Sequence, residues 1–164
     1  MTFALDLQRF AEKVQDKADE AVSAIMIGIA ARIDERSPVG DMTLWKDVDS
    51  YGFDEKFATL VKERREGYVG GHFRANWQLG VDVIPEGEVV GTDPTGEATQ
   101  GRIVAAIPDE ASGHVYWLAN NAPYARRLEE GWSTQAPQGM VGLTVIEFQA
   151  IVREAIAKVK GGGA

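Results

Sequence analysis

Hydrophobic residues open the chain at helical spacing. Leu7, Phe10, Val14, Ala21, Ile25, Ile29 and Ile33 recur three, four or seven positions apart, which predicts one long helix from Asp6 to about Arg36. Arg9, Glu12, Lys13, Asp16, Lys17, Asp19 and Glu20 occupy its other side in the first half. The second half, AVSAIMIGIAARI, is apolar on more than one side, as in a helix held between two layers. At about 1.5 Å per residue the rod is roughly 45 Å long, so either it overhangs a domain of this size or another subunit covers part of it. Ser37-Pro38 ends it, because the residue before proline is pushed out of helical geometry.

The period changes further on. Phe73 to Val83 alternates with a period of two, which predicts a strand. Pro85-Glu86-Gly87 reads as a turn, and Glu88 to Gly91 as a short return strand. Asp93-Pro94 pairs a capping side chain with a proline suited to a first helical position. A short helix over Ala98 to Ile107 follows, with a strand through IVAAI as its alternative. Val115 to Asn120 alternates again. Asn120-Asn121 stops that strand, Pro123 opens a short helix, and Tyr124, Ala125 and Leu128 share one of its faces. Arg126, Arg127, Glu129 and Glu130 are left on the exposed side, and Gly131 closes the turn. Thr144 to Glu147 reads as a capping box. It starts a closing helix from Val145 to about Lys160, with Phe148, Ile151, Val152, Ala155 and Val159 inward. Residues 161–164 read as a disordered tail. The stretch from Val39 to Gly71 reads as an excursion, inserted at about 41–71, with a helix over Asp54 to Glu66. Few strands, short connections and two flanking helices predict an α+β fold, in which the long N-terminal helix and the C-terminal helix pack on a small antiparallel sheet.

Composition narrows the chemistry. The chain has 164 residues and 45% hydrophobic content, which suits a single domain of 1–164. It contains no cysteine, so disulfides, thiolate metal sites and cysteine nucleophiles are excluded. No apolar run reaches the length of a membrane span. The net charge of −8 argues against general affinity for nucleic acid. His72 and His114 stand outside any HExxH pattern. Asp109 and Glu110 lie near His114, but a solvated histidine in a turn is the plainer reading. No catalytic residue, metal ligand or cofactor site is assigned.

The cations and aromatics carry more. Tyr, Trp and Arg dominate binding hot spots, and Tyr116, Trp117, Tyr124, Arg126, Arg127 and Trp132 supply all three types within one short stretch. Together with Arg74 and the acidic pair Glu129 and Glu130 they form the expected interface. The alternative is a solvated face with helix ion pairs worth about 0.2–0.5 kcal/mol each.

Three segments then resemble a known family. SPVG at Ser37–Gly40, GGHFRANW at Gly70–Trp77 and LANNAPYARRLEEGWSTQAPQGMV at Leu118–Val141 resemble the tail-completion, or neck (head–tail connector), proteins of tailed double-stranded DNA phages and their prophages. The family pattern of a proline-containing turn, YA, an acidic residue and Gly maps onto Pro123, Tyr124, Ala125, Glu129 or Glu130, and Gly131. The long Phe53 to Glu66 segment departs from it. The resemblance implies a structural virion part with no enzymatic activity, made in the host bacterial cytoplasm and free of any membrane. It implies a ring, usually six-fold, of copies of the chain. The ring would sit between a head-side connector or stopper protein and the tail terminator or tail tube protein, with DNA passing through the lumen unbound. A tail terminator is a close variant. A small metal-dependent hydrolase built on His72 or His114, or a host-encoded adaptor, would belong to different classes.

Overall fold

The computed structural model describes residues 2–40 and 68–161. The expected helix over Asp54 to Glu66, and the expected insertion apart from its last residues, lie outside the described residues, as does the tail beyond Gly161. Among the described residues seven elements follow in order: α1 (Thr2–Arg36), α2 (His72–Ala75), β1 (Trp77–Val81), α3 (Glu97–Ala106), β2 (Tyr116–Asn120), α4 (Ala125–Glu129) and α5 (Val141–Gly161). The class is α+β: a long N-terminal helix, a C-terminal helix and a two-stranded antiparallel sheet.

α5 runs antiparallel along the second half of α1. Arg36 reaches Thr144 Oγ1 at 3.1 Å and Glu147 Oε1 at 2.7 Å near the start of α5. Arg32 reaches Glu154 at 3.3 Å, and Lys17 Nζ reaches the Val159 carbonyl at 3.4 Å near its end. The two helices close tightly at Gly28, where a Cβ would stand 2.8 Å from Ile151 Cγ2. On its other side, α1 presents Ala30 and Ile33 to a core completed by Phe73, Trp77, Ile103, Ala122, Ala136 and Met140. β1 pairs with β2 in the register Trp77↔Asn120, Leu79↔Leu118 and Val81↔Tyr116. Trp77, Leu79 and Leu118 therefore share the face turned to this core.

Several expected boundaries move, each for a local reason. The strand expected from Phe73 begins only at Trp77, because Gly71 takes φ +99° and residues 72–75 coil into a helical turn closed by Ala75 N to Gly71 O at 2.8 Å. The expected return strand at 88–91 is not a strand. The fully buried Asn76 side chain takes both backbone groups of Val89, accepting from its N–H at 2.7 Å and donating to its carbonyl at 3.2 Å. A side-chain amide thus replaces a ladder partner. Asp93 does cap α3, accepting from Gly96 N at 2.9 Å, Thr99 N at 2.7 Å and Thr99 Oγ1 at 2.7 Å. The helix nonetheless starts at Glu97, since Gly96 at φ +82° interrupts the run from Pro94. The stretch IVAAI is helical. α5 starts at Val141, three residues before the expected capping box. Thr144 is inside it, buried, with its hydroxyl donating to Met140 O at 2.8 Å. Phe148, expected inward, is 47% exposed.

Candidate functional site

The expected interface residues divide into two groups. Glu129, Arg74 and Tyr116 turn inward and hold the fold. Tyr124, Arg126, Arg127, Glu130 and Trp132 stay at the surface.

Glu129 is the clearest correction. It was expected on the exposed side of α4, yet its carboxylate reaches across to the start of α5. Oε2 accepts from the amides of Met140 and Val141, and Oε1 from that of Gly142, each at 2.9 Å. These are amides that a helix N-terminus leaves without intrahelical partners. The negative charge also faces the positive end of the helix dipole. Burial pushes the Glu129 carboxyl up, but the three amides outweigh it and leave the group below the ordinary carboxylate range. Gly139, at φ +74°, lets the chain pass close to the Glu129 carbonyl and carboxylate; a Cβ there would collide with both.

Arg74 is likewise structural. Nη1 donates to Pro94 O at 2.8 Å, Nη2 to Ser37 O at 3.0 Å, and Nε lies 3.5 Å from Asp34 Oδ1. The guanidinium ties the end of α1 to the approach to α3. Burial pushes the Asp34 carboxyl up to about 6; Arg74 opposes that rise and Asp93 adds to it. Tyr116 is half-buried and donates to Ala111 O at 2.6 Å, which anchors the loop before β2.

The remaining residues form a ridge along α4 and the turn after it. Arg127 lies 5.3 Å from the centre of the Trp132 ring, in cation–π position, and Trp132 is 73% exposed. Arg126 pairs with Glu130 one turn on, at 2.9 Å. Trp117 is also exposed, on the opposite face of β2 from Leu118. Beside the ridge lies an open cavity of about 690 Å³ lined by Pro38, Val39, Phe73, Tyr124, Leu128 and Trp132, among others.

Both histidines have acidic neighbours. His72 Nδ1 lies 2.8 Å from the Tyr124 hydroxyl and Nε2 lies 3.3 Å from Glu88 Oε1. With the proton on Nε2, Tyr124 donates to the ring and the ring donates to Glu88, so hydroxyl, imidazole and carboxylate stand in line. Burial, Tyr68 and Glu88 all raise the Tyr124 phenol above its ordinary value, which keeps it protonated and a donor. His114 Nδ1 lies 2.6 Å from Asp82 Oδ2, at the one non-glycine residue among those described with positive φ, +59°. Asp109 and Glu110 are not its partners. Among the described residues, no group of three or more His, Asp and Glu side chains is placed to hold a metal ion.

The length of the predicted rod left an overhang or a covering subunit as the alternatives, and the start of α1 is where they apply. The apolar side chains at the start of α1 are open to solvent: Phe3 at 80%, Leu7 at 56%, Phe10 at 65% and Val14 at 52%. Leu7, Phe10 and Val14 belong to the stripe at helical period that predicted the helix. The helix, 35 residues long, overhangs the rest of the described chain. α5 has an outward apolar line as well, where Val145 and Phe148 are exposed, and Ile146 is exposed on another side of the helix. Compared with known proteins, the chain matches no family, no curated protein and no solved structure.

Proposed function

We propose that the chain is a structural part of a phage neck, a tail-completion protein that joins copies of itself into a ring between the head connector and the tail. The observation that carries this reading is the overhanging start of α1, where one helix exposes Phe3, Leu7, Phe10 and Val14 in line. An apolar stripe of that size on a soluble chain marks a contact with another molecule. The ridge of Arg127 and Trp132 has the residue types that anchor such contacts. The likeness of Leu118–Val141 to neck proteins supplies the identity of the assembly. A net charge of −8 per chain suits a lumen past which DNA slides without adhering.

Heterologous contacts that close make rings, so the chain is expected to carry two complementary faces. The test is to remove the gene from a phage genome that encodes it and image the progeny. Filled heads and separate tails are expected, with joining restored by added protein. Joined, infectious particles without the protein would refute the reading.

A further inference from the structure

We infer that the start of α1 from one copy docks along the outward line of α5 on the next copy, so that the joint between subunits is a helix pair. This rests on the ring reading above and names the two surfaces that meet.

The argument starts from spacing. Phe3, Leu7, Phe10 and Val14 are separated by four, three and four residues. On α5, Val141, Val145, Phe148 and Val152 have the same separations. Val141, Val145 and Phe148 are exposed at 40%, 66% and 47%, and Val152 is half-buried. A four–three alternation is the seam that lets two helices interlock side chains along their length. Both lines cover eleven residue steps, roughly 16 Å of helix axis, so neither leaves the other partly bare.

The two lines do not meet within one chain. α5 lies along the later half of α1, and its far end is already at Lys17, where Lys17 Nζ meets the Val159 carbonyl. The earlier residues of α1 project past that end. The line through Phe3 and Val14 runs on into Lys17 and Gly28, the side of α1 that faces α5. The overhang thus continues a face already built to receive an α5 helix, beyond the reach of its own. Only another copy can present an α5 there.

Area fits a joint that is small alone and repeated around a ring. Phe3, Leu7, Phe10 and Val14, each exposed by half or more, offer roughly 450 Å² of apolar surface. With roughly 300 Å² from Val141, Val145 and Phe148, one joint buries about 750 Å², the small end of interface sizes, and each copy in a ring makes two such joints. Because the donor and acceptor faces differ, each copy makes one joint of each kind, and the series closes or continues instead of stopping at a pair.

The chain contains no cysteine, so single introduced thiols report the contact cleanly. Leu7→Cys is mixed with Val145→Cys or with Phe148→Cys, and the mixtures are oxidised, both as purified chain at high concentration and in particles carrying the variants. All three positions are exposed, so folding is unaffected. A covalent dimer is expected in a mixture and not in either variant alone, with the better-coupling partner giving the relative direction of the helices. Self-coupling of Leu7→Cys would show overhangs meeting each other and would overturn the inference. So would absence of coupling in every mixture. Coupling in a protein that is missing from particles would instead sink the neck reading and leave this joint standing.

Discussion

Replacing Glu129 by alanine removes the acceptor for three consecutive amides at the start of α5, each held at 2.9 Å. A hydrogen bond to a charged group contributes about 1.5–3 kcal/mol and loss of an N-cap costs about 0.5–2 kcal/mol. The contributions overlap, because one carboxylate serves all three donors and water reaches the partly exposed amides once it is gone. A loss of about 2–4 kcal/mol for Glu129→Ala follows. Glu129→Gln keeps one acceptor oxygen but sets an amide nitrogen against the remaining donor and discards the charge facing the helix dipole, so about 1–2 kcal/mol is expected. The pH dependence has a definite sign. The folded value lies below the ordinary 4.5, so the stabilisation is fully present above that value and is lost as pH falls through the folded one. Urea unfolding followed by helical circular dichroism, near neutral pH and at about pH 3, measures both effects. The Glu129→Gln penalty should shrink at the acid end. A Glu129→Ala midpoint matching the parent, or a Glu129→Gln penalty equal at both pH values, would refute the capping role.

Asp34 predicts the opposite slope. Its folded value of about 6 lies above the ordinary 3.8, so stability should fall as pH rises through that window, by at most about 3 kcal/mol. Asp34→Asn should flatten the fall in a series of thermal melts. Arg74→Ala should lower stability by about 2–4 kcal/mol, since it strips partners from Asp34, Ser37 O and Pro94 O, and urea midpoints measure it. Arg127→Ala should leave the melting midpoint within about 0.5 kcal/mol of the parent, as for other surface changes, yet lower the yield of joined particles. The assembled ring should not retain duplex DNA at low salt, and tight retention in a filter or mobility assay would contradict the electrostatic account of the lumen.

Much of the framework was readable from period alone. α1, β2, α3 and α5 occupy stretches whose apolar residues repeat at the right spacing, and in the packed half of α1 those residues meet neighbours on one side. What the period could not convey was which side chains leave their own element. Asn76 looked like the polar half of an alternating strand, but it is fully buried and bonded to Val89, thirteen residues on. Gln135, outside every predicted element, does the same for Val39, accepting from its N–H at 3.0 Å and donating to its carbonyl at 2.7 Å. Glu129 and Glu130 are adjacent acids with equal claim to the surface. Only the position of residues 140–142 makes one a cap and the other half of an exposed ion pair. The sequence reading found the aromatic and cationic ridge because it depends on residue type. Helix length raised an overhang, but not which end of α1 stays open, because a stripe at helical period looks the same whether or not anything lies against it.

That overhang also has a kinetic side. Among the described residues, the first side-chain hydrogen bond leaving α1 runs from Gln15 to Ser112 Oγ, so earlier turns are held mainly by propagation from the packed half. Each added residue there shifts the helix–coil balance by a factor of only about 1–1.6, and fraying should deepen toward Thr2. Backbone amides before Gln15 should therefore exchange with deuterated solvent in a gradient, fastest at the tip, while those near Ala30 exchange only when the whole domain opens. Assembly would erase that gradient, turning the least protected end of the molecule into one of its slowest.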